Sequence, residues 1–154
     1  MGLALPAHQN AALKYGNFQH NFQAGSINQT TSWVNFVPMF VNIEVKKKYS
    51  MDPMVQLAAW VAAEFEKRQR ERYSLDMPVF AIAIEEDTWN LWIAYWVGSA
   101  PETLIFMGPE YMGDTKNHSG IFKILKVLQG LAEWGTATYR AWFEGEVLGR
   151  ASSA

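Results

Sequence analysis

Cysteine is absent from this chain of 154 residues, so it forms no disulfide and no thiolate-bound zinc site, and its redox compartment is left open. Histidine is scarce: His8, His20 and His118 are the only three, and they stand at no spacing that a metal site uses. Charge of one sign is also lacking. With a formal net charge of -2 and a pI near 5.9, a nucleic-acid partner would have to be held by a local patch, not by the field of the whole protein. No apolar run reaches the ~18 residues of a membrane span. The N-terminus has neither the charged start nor the continuous apolar stretch of a secretory signal, so a soluble intracellular protein is expected. The scarcity with the sharpest consequence concerns carboxylates: nothing from Met1 to Ile43 is Asp or Glu.

What the chain has in excess is aromatic and soft apolar surface: seven Trp, nine Phe, six Tyr and seven Met. Such side chains line apolar pockets and sticky interfaces, and they also fill ordinary cores. The length suits one domain, large enough to bury roughly 68–70% of its unfolded surface.

Residues 1–32 differ in composition from the rest. Gln9, Asn10, Asn17, Gln19, Asn21, Gln23, Asn28 and Gln29 make them an Asn/Gln-rich stretch with little periodicity, expected to be a loosely structured arm that Phe18, Phe22 and Trp33 dock onto the body or a second subunit. Residues 33–150 are expected to form a single domain. An extended segment from Trp33 to Lys46 contains Pro38, the mark of a strand start, bulge or edge. Asp52-Pro53 supplies an N-cap and a proline for the first helical position. The helix from Met54 to Arg72 carries an apolar stripe of Leu57, Val61 and Phe65, with Glu64, Lys67, Arg68, Glu71 and Arg72 predicted to face water. Pro78 to Ile84 is apolar on both faces, as a central strand is. Glu85-Glu86-Asp87 turns it into a hairpin with Trp89 to Val97. A short strand over Thr103 to Met107 and a loop from Gly108 to Asn117 precede a long helical region from about Ser119 to Leu148, with Gly130 or Gly135 as the place for a kink. The order of strand, helix, three strands and helix predicts an α/β sandwich, a mixed central sheet flanked by helices.

Chemistry concentrates in Val41-Asn42-Ile43-Glu44-Val45-Lys46. On a strand, Glu44 and Lys46 share one face and Ile43 and Val45 the other. A buried carboxylate and ammonium are costly unless they satisfy each other, a metal or water. Ten residues beyond Lys46 comes Gln56-Leu57-Ala58-Ala59-Trp60, in which Gln56 and Trp60 share a helix face.

The E-x-K strand followed by a Q-x-x-x-aromatic helix resembles the PD-(D/E)XK nuclease-like superfamily, and specifically its fungal branch. Asn28-Gln29-Thr30, Trp89-Asn90-Leu91-Trp92 and the stretch from Gly120-Ile121 through Trp134 and Tyr139 to Trp142 extend the resemblance over residues 26 to 148. It implies a restriction-endonuclease-like sandwich. In members that cut nucleic acid, Glu44 would be a Mg²⁺ ligand, the carbonyl of Val45 a neutral ligand, Lys46 the water-activating cation and Gln56 a positioning group. The upstream aspartate of that pattern has no counterpart: Asp52 reads as a helix cap, and Asn28 or Asn35 would be a poor ligand for a hard dication.

Three readings stay open. The first is a nuclease fold without metal-dependent hydrolysis and without a resident metal or cofactor. In it Glu44, Lys46 and Gln56 are the catalytic candidates and Trp60, Trp92, Trp96 and His118 line a cleft for an organic small molecule, with a metal-independent cyclisation or isomerisation as the reaction if the protein is an enzyme. The second is a Mg²⁺-dependent nuclease with an unconventional ligand set. The third is a non-catalytic interaction module, dimeric through its aromatic surface. The missing aspartate, the acidic pI and the Trp and Met excess favour the first and third. The small-molecule reading comes first, because a vacated active-site cleft is already concave. Strong nucleic-acid binding and membrane association are not expected. Lys46-Lys47-Lys48 offers a small basic run and nothing more.

Overall fold

The computed structural model describes residues 2–4, 39–47, 52–98 and 103–149. The expectations placed on Phe18, Phe22, Asn28, Trp33 and Asn35 lie outside these residues. Five strands form one mixed sheet in the order β1 (Gly2–Ala4), β2 (Met39–Lys46), β3 (Val79–Glu85), β4 (Thr88–Val97) and β5 (Thr103–Asp114). β1 falls inside the segment expected to be a loose arm and pairs antiparallel with β2. The helix α1 (Pro53–Arg70) joins β2 to β3, which run parallel from Val41↔Phe80 to Lys46↔Glu85. A parallel pair needs such a crossover, and the helix that makes it covers one face of the sheet. The remaining neighbours are antiparallel.

Alternation along β3 assigns the two layers. Val79, Ala81 and Ala83 join Ala94 of β4 under Leu57, Val61 and Phe65 of α1. On the other face, Ile82 and Ile84 join Val41 and Ile43 against Ile124, Leu131, Tyr139, Phe143 and Val147 of the C-terminal helical region. Both faces of β3 are therefore covered, as its unbroken apolar run predicts. Phe40 packs with this second layer because it sits at an irregularity in the β1–β2 pairing, where Leu3↔Val41 is followed by Ala4↔Met39. Such a bulge lets two consecutive side chains serve one face.

Asp52 caps α1 as its position before proline predicts, its Oδ1 accepting from the Met54 amide at 2.8 Å. The helix ends in a Schellman turn: the amide of Arg72, at φ 60°, bonds to the Gln69 carbonyl at 3.0 Å and that of Tyr73 to the Arg68 carbonyl at 2.8 Å. Within α1, Glu64 and Arg68 were expected to face water, and both are buried. Arg68 lies between the rings of Phe65 and Trp142, with its Cζ 5.2 Å and 4.7 Å from their centroids. It donates to Glu64 and, at 2.6 Å, to the Met77 carbonyl. The C-terminal region closes over this end of α1, so a position that is solvated on an isolated helix becomes interior.

β5 is longer than the strand expected from Thr103 to Met107 and absorbs most of the predicted loop, from Gly108 to Asp114. Its turn residues are accommodated as irregularities inside the ladder: a cis Gly108-Pro109 bond, Gly108 at φ 140° and Gly113 at φ 149°, with pairing resumed at Leu91↔Glu110 and carried on to Thr88↔Asp114. The final helix, α2 (His118–Trp134), starts under an Asn117 cap that accepts from the Gly120 amide at 2.9 Å and runs through Gly130 unbroken. From Gly135 it widens into two π-helical stretches, Gly135–Tyr139 and Phe143–Leu148, separated by Arg140–Trp142. Gly135 lets the helix lie directly against Phe40 of β2. A Cβ there would stand 2.5 Å from the Phe40 ring.

Candidate functional site

The site is a ladder of side chains between β2 and α1. Period two puts Asn42, Glu44 and Lys46 on the α1 face, and the helical period puts Gln56, Trp60 and Glu64 on successive turns facing them. Eight helical residues rise about 12 Å and four strand residues span about 13 Å, so the two rows stay in step. Both ends of the ladder meet. Lys46 Nζ donates to Gln56 Oε1 at 2.7 Å, and Asn42 Nδ2 lies 3.5 Å from Glu64 Oε2. The middle rung sets Trp60 at the level of Glu44. Ala81 and Ala83, the β3 partners of Asn42 and Glu44, keep the neighbouring strand low, which leaves the helix room to approach.

Lys46 is the hub. Its ammonium lies 2.8 Å from Glu44 Oε1 as well as bonding Gln56, so one cation holds the strand carboxylate and the helix amide together. The Glu44 side chain is 11% exposed and that of Lys46 24%; the carboxylate is shielded while the ammonium stays reachable from solvent. Gln56 is exposed beside it. A pair this sheltered gains more from its mutual attraction than a surface pair does, but it also loses the hydration of the carboxylate.

Trp60 joins the polar rungs to two further tryptophans. Trp60, Trp92 and Trp96 are half-buried and pack against the cluster of Leu57, Val61, Phe65 and Ala94. The Phe65 and Trp96 rings are 6.0 Å apart. Trp92 pairs with Ala81, itself the neighbour of Asn42, which carries the aromatic surface to the polar rungs. His118 is elsewhere. It opens α2 on the opposite face and is exposed. The row Lys46↔Glu85, Glu85↔Thr88, Thr88↔Asp114 puts three strand spacings, roughly 14 Å, between Lys46 and the strand end that leads to His118. Around that strand end the Tyr111 hydroxyl donates to Asp114 and holds its carboxyl below the usual range, while the Tyr111 hydroxyl is itself pushed up by the same bond.

A divalent cation fits these donors badly. Mg²⁺ asks for near-octahedral oxygen ligands, whereas Glu44 is one carboxylate with an ammonium already 2.8 Å from its Oε1. Among the described residues no group of three His, Cys, Asp or Glu side chains converges to hold a metal. The nearest further acid on the ladder, Glu64, is committed to Arg68. Sequence reasoning missed Asn42, Glu64 and Arg68 as parts of this row. Two cues were present: Asn42 shares the period of Glu44, and Glu64 and Arg68 stand at the i, i+4 spacing of a helical ion pair.

Among the described residues no helix is long and apolar enough to cross a membrane. The family described as the PD-(D/E)XK nuclease superfamily matches residues 2–140. No curated protein and no solved structure matches the chain.

Proposed function

The chain belongs to the PD-(D/E)XK nuclease superfamily, and from that premise we propose that it keeps the superfamily's Glu-Lys-Gln constellation without its metal-dependent hydrolysis, using it as the polar end of a site for an organic small molecule. The observation that carries this reading is the closure of the constellation on itself, with Lys46 Nζ between Glu44 Oε1 at 2.8 Å and Gln56 Oε1 at 2.7 Å. A carboxylate neutralised in this way is a poor metal ligand. It is a suitable partner for a neutral or zwitterionic polar group that can enter the network by exchanging hydrogen bonds. Trp60, Trp92 and Trp96 supply the apolar wall against which the body of such a ligand is desolvated.

If the site is catalytic, the chemistry open to it is a metal-independent cyclisation or isomerisation. Glu44 accepts a proton from one atom of the ligand and Lys46 gives one to another, and the proton on Glu44 then passes to Lys46 across their 2.8 Å contact, so the pair is restored and no co-reactant is consumed while the aromatic wall holds the reacting conformer. Nucleic acid is not the ligand in this account, since a run as short as Lys46-Lys47-Lys48 releases few counterions and binds weakly.

The test is a screen of aromatic and alicyclic fragments by ¹H-¹⁵N correlation spectroscopy. Fragments are expected to shift the Trp60 indole N–H together with the Gln56 side-chain amide, and Trp60→Ala is expected to lose these shifts while the rest of the spectrum stays dispersed. A library that leaves both groups unmoved in the wild type would overturn the small-molecule reading.

A further inference from the structure

Among the described residues, the longest run of exposed large apolar side chains lies away from this site, on the outward side of α2. Phe122 is 70% exposed, Leu125 54% and Ile121 37%, while the inward side of the same helix spends Gly120, Ile124 and Leu131 on the core. Isolated exposed hydrophobics are ordinary, but three on adjacent turns of one helix are not. The residues that follow them along the outward line are Lys126, Gln129, Glu133 and Thr136, all exposed. Neither Lys126 nor Glu133 has an ion-pair partner among the described residues; Glu133 only accepts from Gln129 Nε2 at 2.9 Å on its own helix.

We infer that this face is the interface of a homodimer in which two α2 helices pack antiparallel across a two-fold axis near Gln129. The argument is self-complementarity. At 1.5 Å per residue, Lys126 lies about 4.5 Å to one side of Gln129 and Glu133 about 6 Å to the other, so antiparallel copies bring each ammonium opposite the partner's carboxylate. Phe122 and Thr136 lie roughly 10.5 Å to either side, which sets the bulkiest side chain of one copy against a small one of the other. Thr136 needs no polar partner across the interface, because its hydroxyl already donates to the Ala132 and Glu133 carbonyls, each at 3.0 Å. Gly130 and Ala132 add no bulk, and a Cβ at Gly130 would meet nothing within 4 Å in its own chain, so the helices can approach closely. A parallel pair would set Lys126 against Lys126 and Phe122 against Phe122. An isologous antiparallel contact is therefore the arrangement that this charge order favours. Its footprint, about 25 Å by 10 Å for a helix of this length, is roughly a third of the ~800 Å² per partner of a standard interface, so a weak dimer with a dissociation constant in the high micromolar range is expected.

Sedimentation equilibrium of the full chain across that range tests the inference, with circular dichroism to show that each variant is folded. The wild type should dimerise, Phe122→Ser should weaken association about tenfold or more, a loss on the scale of one large apolar contact, and Lys126→Glu or Glu133→Lys should each weaken it by a smaller factor. The double variant Lys126→Glu/Glu133→Lys should return to near wild-type association, because each reversed charge again meets its opposite. A monomer at every concentration, a dimer indifferent to Phe122→Ser, or a double variant as weak as the sum of its single changes would overturn it.

Discussion

Replacing Arg68 with alanine is expected to destabilise the fold by about 3–5 kcal/mol, the cost typical of removing one partner from a buried pair. Arg68 is 1% exposed and fills several roles in one place: it neutralises Glu64, donates to the Met77 carbonyl at 2.6 Å, and stacks between Phe65 and Trp142. Alanine leaves a buried carboxylate and a half-buried carbonyl without the arginine donor and opens a void under the indole. Against a total stability of about 5–15 kcal/mol, such a loss brings the protein close to unfolding at ambient temperature. The double variant Arg68→Met/Glu64→Leu should recover most of it, because the uncompensated charge goes with its partner. Urea melts decide the point: the single change should lower the midpoint strongly at an unchanged slope. A shift worth less than about 1 kcal/mol would mean that Arg68 is solvated like an ordinary surface pair.

A second large effect is expected at Gly120. A Cβ there would stand 2.2 Å from the Asp114 carbonyl oxygen and 2.9 Å from the Asp114 amide nitrogen, both backbone atoms. Gly113 faces it from the strand, where an added Cβ would meet the Gly120 carbonyl oxygen at 2.4 Å, and Gly113 also holds φ 149°. These two glycines let the end of β5 and the first turn of α2 touch backbone to backbone. Gly120→Ala must push the helix off the strand and disturb the Asn117 cap, whose Oδ1 accepts from the Gly120 amide at 2.9 Å. No flexible side chain can yield to absorb the clash. The expected cost is about 3 kcal/mol, the upper part of the range for forced overpacking. Thermal unfolding of Gly120→Ala beside Gly130→Ala is the comparison to make. Gly130 has open space around it, so alanine there should be neutral or stabilising through helix propensity. Equal melting temperatures for the two variants would contradict the close approach.

These cases also show what could be read in the sequence. The strand, helix and strand of β2, α1 and β3 were legible because each part has a local cause: period two at Glu44 and Lys46, a cap and proline at Asp52-Pro53, an apolar stripe at Leu57, Val61 and Phe65, and an apolar run from Pro78 to Ile84. The meeting of Lys46 with Gln56 followed from the same causes, since a crossover helix must return along the strand it leaves. Arg68 was not legible, because its burial depends on Trp142, a residue far along the chain whose position only the fold decides. The length of β5 was hidden for a different reason. Gly108, Pro109 and Gly113 carry the local chemistry of a turn, yet β4 continues to Thr88 and offers Asn90, Trp89 and Thr88 as partners to Tyr111, Gly113 and Asp114, and the ladder prevails over the local preference. The tryptophans were legible as an excess, and Trp60, Trp92 and Trp96 as a group, which packs against the cluster under α1; His118 was grouped with them and lies on the other face of the sheet.

Calorimetric titration of the protein with Mg²⁺ and with Mn²⁺, run on the wild type and on Glu44→Gln, addresses most directly whether the Glu44–Lys46–Gln56 constellation works without a metal. One carboxylate that already faces an ammonium cannot displace enough of the water held by a hard dication, so no saturable binding in the micromolar range is expected from either cation, and the two proteins should give the same featureless heats. Micromolar binding by the wild type that disappears in Glu44→Gln would contradict the account and return the site to metal-dependent hydrolysis.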